Sequence, residues 1–188
     1  MKIQVLNDET VYEGRFIRTI RRHFLDTAGK EQIWEMVQRK TDTNRIVSIA
    51  AITTEGEILV EKIYRLPFKG YTLELPAGLL DKDGEHEKDA ARRELLEETG
   101  YAADTLELLT EGPFNTGLTS DVLVIYLAIN ARKVREAELE GSEDIEVIKV
   151  PLGNLFEFLK SAEKNLNAKP DMKIAAIIPH LQERGIMR

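Results

Sequence analysis

One segment rich in glutamate limits most strongly how this chain can fold. Glu85–Thr99 has the residue pattern of a helix, and Gly100 follows it as a helix stop. In such a helix Glu94, Glu97 and Glu98 differ by three and four positions, so their carboxylates share one face within a single turn. This crowding destabilises a helix unless cations neutralise it. The spacing therefore predicts a site for hard divalent cations such as Mg²⁺ or Mn²⁺, which prefer oxygen ligands.

The order of the other elements predicts the fold class. Strand-like runs, among them Arg45–Thr54, come before the helix, and further strands follow it as far as Val150. Two more helices are predicted, over Pro151–Lys160 and Pro170–Arg184. Strands first, one central helix, then strands and terminal helices indicate an α+β fold or an α/β/α sandwich.

The first 45 residues form a segment of a different kind. Val11–Leu25 and Ile33–Arg39 read as the two strands of a β-hairpin, with a turn at Asp26–Gly29. The segment holds few large apolar residues, so we expect it to pack on another surface. The sequence thus predicts an N-terminal β segment, residues 1–45, and a main domain, residues 46–188.

Composition excludes several classes of function. The 33 acidic and 26 basic residues give a net charge of −7, which argues against nucleic acids and anionic membranes as partners. The absence of cysteine excludes disulfides, thiolate zinc sites and cysteine nucleophiles. No stretch approaches the roughly 18 apolar residues of a membrane span, and the N-terminus is too polar for a signal peptide. We therefore expect a cytoplasmic location.

The segment Gly78–Tyr101 resembles the Nudix box, whose pattern is G-x5-E-x7-R-E-U-x-E-E-x-G-U, with U a bulky apolar residue. Glu85–Tyr101 matches it throughout. The one departure is six residues, in place of five, between Gly78 and Glu85. This insertion is expected to change the shape of the loop and to leave the helical glutamates in register. The resemblance implies a Nudix hydrolase, an α/β/α sandwich with a mixed sheet.

The same resemblance implies the metal ligands. Glu94 and Glu98 would bind the metal, Glu97 would bind directly or through water, and the backbone carbonyl of Ala77 would add a ligand. The expected cofactor is Mg²⁺ or Mn²⁺, two or more ions. Arg93 would order the loop and the helix, as would Glu85, and we count Glu97 and Arg93 among the catalytic residues.

Related enzymes take their general base from a loop before the last sheet strand. In this chain that loop precedes the strand at Ile145, and Glu143 is the first choice for the base, with Glu140 second. The alternative for each is a solvated glutamate in an acidic loop.

The resemblance becomes narrower upstream of the box. Tyr64–Gly78 is similar to the Arg…Gly-Tyr…Glu-x-Pro-Ala-Gly run of ADP-sugar pyrophosphatases. This implies Mg²⁺-dependent hydrolysis of the pyrophosphate bond in a nucleoside diphosphate sugar, giving a nucleoside monophosphate and a sugar phosphate. ADP-ribose or an ADP-sugar is the expected substrate. It also implies a homodimer whose N-terminal strands exchange between subunits and help to wall the active site.

Five residues are candidates for substrate binding. Phe16 and Trp34 match positions that stack the adenine in this subfamily, with packing in a dimer interface as the alternative. Arg39 and Arg65 are candidates for contacts to phosphate or ribose, since arginine offers bidentate geometry, with surface ion pairs as the alternative. Glu74 is a candidate for contact with a ribose hydroxyl or with a water on the metal, with a strand-end surface charge as the alternative.

Other functions remain open at this stage. Thr116 stands where ADP-ribose pyrophosphatases usually carry a proline, which leaves GDP-mannose or another nucleotide sugar as a substrate. Hydrolysis of dinucleoside polyphosphates or nucleoside triphosphates is a second alternative. A non-catalytic Nudix module that senses a nucleotide is a third, although such modules typically lose box glutamates and here Glu94, Glu97 and Glu98 are all present.

Overall fold

A computed structural model describes residues 2–41, 43–80, 82, 84–139, 141 and 144–187. The chain divides into two compact units. The first comprises Met1–Ile46 and Gly112–Leu123, and the second comprises Val47–Glu111 and Val124–Arg188. The first unit therefore includes Gly112–Leu123, far along the chain from its other part. A division at residue 45 by sequence order alone does not include this segment.

The first unit contains a three-stranded antiparallel sheet in the order β1 (Gln4–Glu13), β2 (Ile17–Leu25) and β3 (Glu31–Arg39). The sequence predicted a hairpin of two strands, and β1 is an addition to it. The predicted strand Val11–Leu25 is divided between the end of β1 and the whole of β2. The division is a turn, closed by the backbone N–H of Gly14, which donates to the carbonyl of Ile17 at 2.8 Å.

Polar contacts, more than burial, hold this small sheet in register. Arg22 forms a bidentate ion pair with Asp8 across β1 and β2, at 2.7 and 2.8 Å. Within the three strands only Ile20 and Met36 are buried, and every residue of β1 is exposed. The segment buries little apolar surface, as its composition predicted.

A nine-stranded sheet contains the remaining strands. It has the order β12-β6-β5-β4-β10-β8, with β11 paired to β5, β7 to β4 and β9 to β10. Pairing is antiparallel in β5–β6 and β5–β11 and parallel in β6–β12, so the sheet is mixed, as predicted. These strands are β4 (Arg45–Thr53), β5 (Glu57–Arg65), β6 (Gly70–Glu74), β7 (Ala77–Leu79), β8 (Tyr101–Ala102), β9 (Thr105–Pro113), β10 (Val122–Lys133), β11 (Ile145–Pro151) and β12 (Ala168–Pro170).

Three helices accompany this sheet: α1 (Glu87–Thr99), α2 (Leu155–Leu166) and α3 (Met172–Glu183), with a 3₁₀ turn at Leu152–Asn154 before α2. A mixed sheet with three helices confirms the predicted α/β/α sandwich. The longest of these helices has 13 residues. In the described part of the chain, no helix is long and apolar enough to cross a membrane.

The core lies in the second unit and fixes the position of α1. Ala90, Ala91 and Leu95 are the buried apolar residues of this helix. The helix ends at Gly100, which adopts a left-handed φ of 74° and whose N–H bonds to the carbonyl of Leu96. A Cβ at position 100 would overlap the backbone of Arg135, so only glycine fits this helix end. The predicted helix stop is confirmed.

Candidate active site

Helix α1 carries acidic residues where its own dipole disfavours them. Glu97 and Glu98 lie in or next to its last turn, and no basic residue lies there. The C-terminal end of a helix is negatively polarised and favours cations. Glu98 is also buried, with 7% of its surface exposed. Helix stability does not explain these carboxylates, whereas a bound cation would.

Arg93 is the cation that this part of the structure provides. Its Nε and Nη2 donate to the two carboxylate oxygens of Glu85, at 2.9 and 3.0 Å. Its Nη1 donates to Glu94 at 2.6 Å and to Glu97 at 3.0 Å. The hydrogen bond to Glu85 raises the pKa of Arg93 most, burial opposes it, and Glu97 and Glu94 raise it further. The reciprocal bond lowers the pKa of Glu85. These contacts join Glu85, before the helix, to Glu94 and Glu97 on it, and the supporting role of Arg93 and Glu85 stays a prediction.

The backbone of β7 lies directly against the glutamates of α1. The N–H of Ala77 donates to Oε2 of Glu98 at 2.9 Å. A Cβ on Gly78 would overlap the carboxylate of Glu94, so a glycine is required for this close approach. The structure thus brings Ala77 together with Glu94 and Glu98, three of the four predicted metal ligands.

The donor set fits a divalent cation. Glu85, Glu94 and Glu97 contact one guanidinium, Glu98 accepts from the N–H of Ala77, and Lys82 lies 4.0 Å from Glu97. Four carboxylates thus face two cationic side chains, so negative charge remains in excess. All four side chains offer hard oxygen donors, which suit Mg²⁺ and similar ions. Among the described residues no three acidic or histidine side chains already converge as a metal site.

A second charged cluster centres on Glu74 at the end of β6, only 4% exposed. Arg65 donates to both of its oxygens, from Nε to Oε1 at 2.8 Å and from Nη2 to Oε2 at 2.9 Å. Thr72 Oγ1 donates to Oε1 at 2.7 Å, and Lys173 Nζ donates to Oε2 at 2.9 Å. Burial alone would raise the pKa of Glu74, but the hydrogen bond from Arg65 and the charges of Lys173 and Arg65 lower it to about 2.

Sequence reasoning missed two charged residues beside Glu74. Glu61 is 2% exposed and lies opposite Glu74 in the β5–β6 pairing, where two carboxylates repel each other without nearby cations. Its signal was available, because alternation places Glu61 on the same strand face as Leu59 and Ile63, an apolar face. Lys173 lies in α3, 99 positions from Glu74, and no residue pattern around β6 predicts their contact.

The other substrate candidates lie in the first unit. Phe16 is 71% exposed and Trp34 is 52% exposed. The guanidinium of Arg15 lies 4.9 Å from the ring centre of Phe16, and the indole N–H of Trp34 donates to the carbonyl of Gly117 at 3.2 Å. Both rings are therefore accessible, and that of Trp34 is tethered beside the segment that contains Thr116.

Arg39, also in the first unit, forms an ion pair with a carboxylate that sequence reasoning missed. Its Nε lies 3.4 Å from Oδ2 of Asp121, which is buried. Nothing in the sequence around Asp121 links it to Arg39, because 82 positions separate the two residues.

Glu140 and Glu143, the predicted general bases, lie outside the described residues. The chain is described again from Asp144, which anchors this end of the loop to the β5–β6 hairpin. Its carboxylate accepts a hydrogen bond from the hydroxyl of Tyr71 at 2.6 Å, and its carbonyl accepts from the N–H of Tyr64 at 3.2 Å.

Comparison with known proteins decides the family. A family model described as the NUDIX domain matches residues 42–171, which is more than half of the chain. The chain belongs to the Nudix family. The sequence is 30% identical over 184 residues to the ADP-sugar pyrophosphatase of Mus musculus, covering 92% of this chain and 84% of that protein. It is 35% identical over 137 residues to the ADP-ribose pyrophosphatase of Bacillus subtilis, covering 72% and 71%.

A solved structure supports the fold independently. The crystal structure of an ADP compounds hydrolase aligns with a TM-score of 0.80 at 23% identity, over 98% of this chain and 94% of that one. The predicted family and fold are confirmed, and the chain is a Nudix hydrolase. Nudix hydrolases generally use divalent metal ions, and the oxygen-rich cluster on α1 has the donors for one.

The lowered pKa of Glu74 predicts how stability changes with pH. Because the folded-state pKa of about 2 lies below the ordinary 4.5, the unfolded chain binds a proton at Glu74 first as the pH falls. Its stabilising contribution, on the order of 3 kcal/mol, is complete above pH 4.5 and is lost between about pH 4.5 and 2. The unfolding free energies of the wild type and of Glu74→Gln should therefore converge over that range. A constant difference between pH 6 and pH 3, measured by urea denaturation, would contradict the assignment.

Proposed function

We propose that this Nudix hydrolase cleaves the pyrophosphate bond of ADP-ribose or an ADP-sugar, giving AMP and a sugar phosphate. The observation that carries the proposal is the cluster of four carboxylates on and before α1, pressed against the backbone of Ala77 and Gly78. Relatives named for ADP-sugar and ADP-ribose hydrolysis support the choice of substrate.

The cofactor in this proposal is Mg²⁺ or Mn²⁺, with two or more ions held by Glu94, Glu97, Glu98 and the carbonyl of Ala77. When bound, the metal supplies positive charge that stabilises the diphosphate during an in-line displacement by water. Arg93 keeps Glu94 and Glu97 close to their binding positions, since its guanidinium contacts both at hydrogen-bond distance.

Arg65 is proposed to bind a phosphate or the ribose of the substrate. Two of its nitrogens are engaged by Glu74, and in the described part of the chain Nη1 has no hydrogen-bond partner. The side chain is 43% exposed, so part of it is accessible to a ligand. Arg39 is proposed for a similar contact. It forms an ion pair with the buried Asp121, as Arg65 does with the buried Glu74.

Phe16 and Trp34 are proposed to stack on the adenine. Exposed rings bind a base through its π-face, which contributes about 1–3 kcal/mol per base. The hydrogen bond from Trp34 to Gly117 restrains the indole and lowers the entropy lost on stacking.

The first test combines a substrate panel with one variant. In Mg²⁺, ADP-ribose and an ADP-sugar should be cleaved faster than GDP-mannose, nucleoside triphosphates and dinucleoside polyphosphates, with AMP identified by chromatography. Glu98→Gln should lower kcat by about a hundred-fold or more, because it removes a charge directed at the diphosphate. Asp89→Asn removes one charge from an exposed part of the same helix and serves as the matched control. Equal, weak rates across the panel would refute the proposed specificity, and near-normal turnover by Glu98→Gln would refute the site.

The general base is proposed to be Glu143, with Glu140 as the alternative. Glu143→Gln should lower kcat strongly and leave metal binding intact, since a general base commonly contributes about 10²–10⁴-fold. Glu140→Gln is the natural comparison, because it removes the same charge from the same loop. A larger loss of kcat in Glu140→Gln than in Glu143→Gln would assign the base to Glu140.

A homodimer built on the N-terminal sheet is also proposed. Apolar side chains are exposed along all three strands, and contiguous exposed apolar surface typically marks an interface. These residues are Val5, Leu6, Val11, Tyr12, Ile17 and Ile33. Strand β1 is in addition a ten-residue sheet edge, open to pairing.

Light scattering during gel filtration tests the dimer. At micromolar concentration the mass should be twice the chain mass of 21.4 kDa, and Ile33→Asp should shift it towards one chain, because a charge would be buried at the interface. A wild-type mass of 21.4 kDa would contradict the proposal.

A further inference from the structure

Lys173 lies where a lysine is costly for its own helix. It is in the first turn of α3, where the positive end of the helix dipole disfavours a cation. Its side chain is only 11% exposed, so its ammonium group has lost most of its hydration. Neither helix propensity nor solubility explains a lysine here. The contacts of its ammonium group with the carboxylates of Glu74 and Asp171 explain it.

The start of α3 is fixed to the edge of the sheet beside Glu74. Strand β12 pairs in parallel with β6, and the N–H of Asp171 donates to the carbonyl of Leu73 at 2.8 Å. Asp171 also caps α3, since its carboxylate accepts from the N–H of Lys173 at 2.7 Å. These backbone contacts carry Lys173 Nζ to 2.9 Å from Oε2 of Glu74 and to 3.4 Å from Asp171.

Glu74 has no capacity left for a substrate hydroxyl while this arrangement holds. Each of its oxygens already accepts two donors, Arg65 and Thr72 at Oε1, and Arg65 and Lys173 at Oε2. A carboxylate offers about four acceptor positions in all. The role that this geometry favours for Glu74 is to hold the guanidinium of Arg65 in one orientation, with Nη1 pointing away from the pair.

We propose that Lys173 is a positioning residue for substrate binding, which acts through Glu74 on Arg65. This inference rests on the proposed contact between Arg65 and the substrate. Lys173 holds the carboxylate of Glu74 in place, and that carboxylate in turn orients the guanidinium of Arg65. Without the ammonium group, Oε2 of Glu74 keeps one donor where it had two, the carboxylate can rotate, and Arg65 samples more orientations before the substrate arrives. Loss of preorganisation weakens binding even though the contacting residue is intact.

Steady-state kinetics with ADP-ribose and Mg²⁺ tests this inference. Lys173→Met keeps the length of the side chain and removes the charge, and it should raise KM roughly five- to twenty-fold with kcat within about two-fold. This is less than the roughly 10- to 150-fold that one charged hydrogen bond is worth, because the lost bond acts on the substrate only through Arg65. Lys173→Arg should recover most of the loss. Lys169→Met is the matched control, since Lys169 is an exposed lysine in the same segment, paired with Glu163.

The double variant makes the test specific. If Lys173 acts through Arg65, then Lys173→Met should add little to the KM of Arg65→Ala, because contacts in one network are not additive. An unchanged KM in Lys173→Met, or a full further increase in the Arg65→Ala background, would overturn the inference. A fall in thermal stability with no change in KM would show that Lys173 is only structural. If Arg65→Ala itself left KM unchanged, the proposed role of Arg65 would fail together with the inference, whereas wild-type hydrolysis of ADP-ribose would still support the proposed function.

Discussion

One guanidinium shared among three carboxylates is the interaction on which the active-site region depends. Arg93 contacts Glu85 through one edge and Glu94 and Glu97 through the other. It joins the loop before α1 to the helix, and it reduces the repulsion that i, i+3 and i, i+4 glutamates impose on one helix face. Because one positive charge cannot balance four carboxylates, the cluster stays negative and attracts further cations. The remaining repulsion destabilises the folded chain, and a bound divalent metal ion would reduce it.

A related device recurs at Arg65 and at Arg39. In each case a buried carboxylate, Glu74 or Asp121, holds an arginine that is itself partly exposed. A carboxylate buried in this way is stabilised by its arginine, and in return it limits the orientations of the side chain. Under the proposed function, the remaining nitrogens of Arg65 and Arg39 would meet the substrate in a restricted set of orientations.

The sequence predicted most of the fold and the shared helix of Glu94, Glu97 and Glu98 because both depend on local patterns. The spacing of Glu94, Glu97 and Glu98 and the stop at Gly100 are fixed within α1, and the structure confirms the helix. The close approach of Ala77 to Glu98 was available only through the family resemblance, since it joins residues 21 positions apart. Strand β1 was missed because all of its residues are exposed and its apolar residues fall in adjacent pairs, Val5-Leu6 and Val11-Tyr12. It therefore lacks the alternation by which a half-buried strand is recognised.

The remaining omissions are residues paired over long distances in sequence. Lys173 contacts Glu74 across 99 positions, and Asp121 contacts Arg39 across 82. A sequence pattern gives no register between such segments, because tertiary packing alone brings them together. Glu61 is different, since an acid on the apolar face of β5 was visible in the sequence and should have drawn notice.

We propose that the α1 cluster binds divalent cations whose charge Arg93 alone cannot replace. Titration calorimetry of Mn²⁺ into the wild-type protein, with Glu98→Gln for comparison, measures this binding. The wild type should show saturable uptake that is weakened or absent in the variant, and the uptake should be tighter when a non-hydrolysable ADP-ribose analogue is present. If neither Mn²⁺ nor Mg²⁺ binds, even with that analogue bound, the α1 cluster is not a metal site.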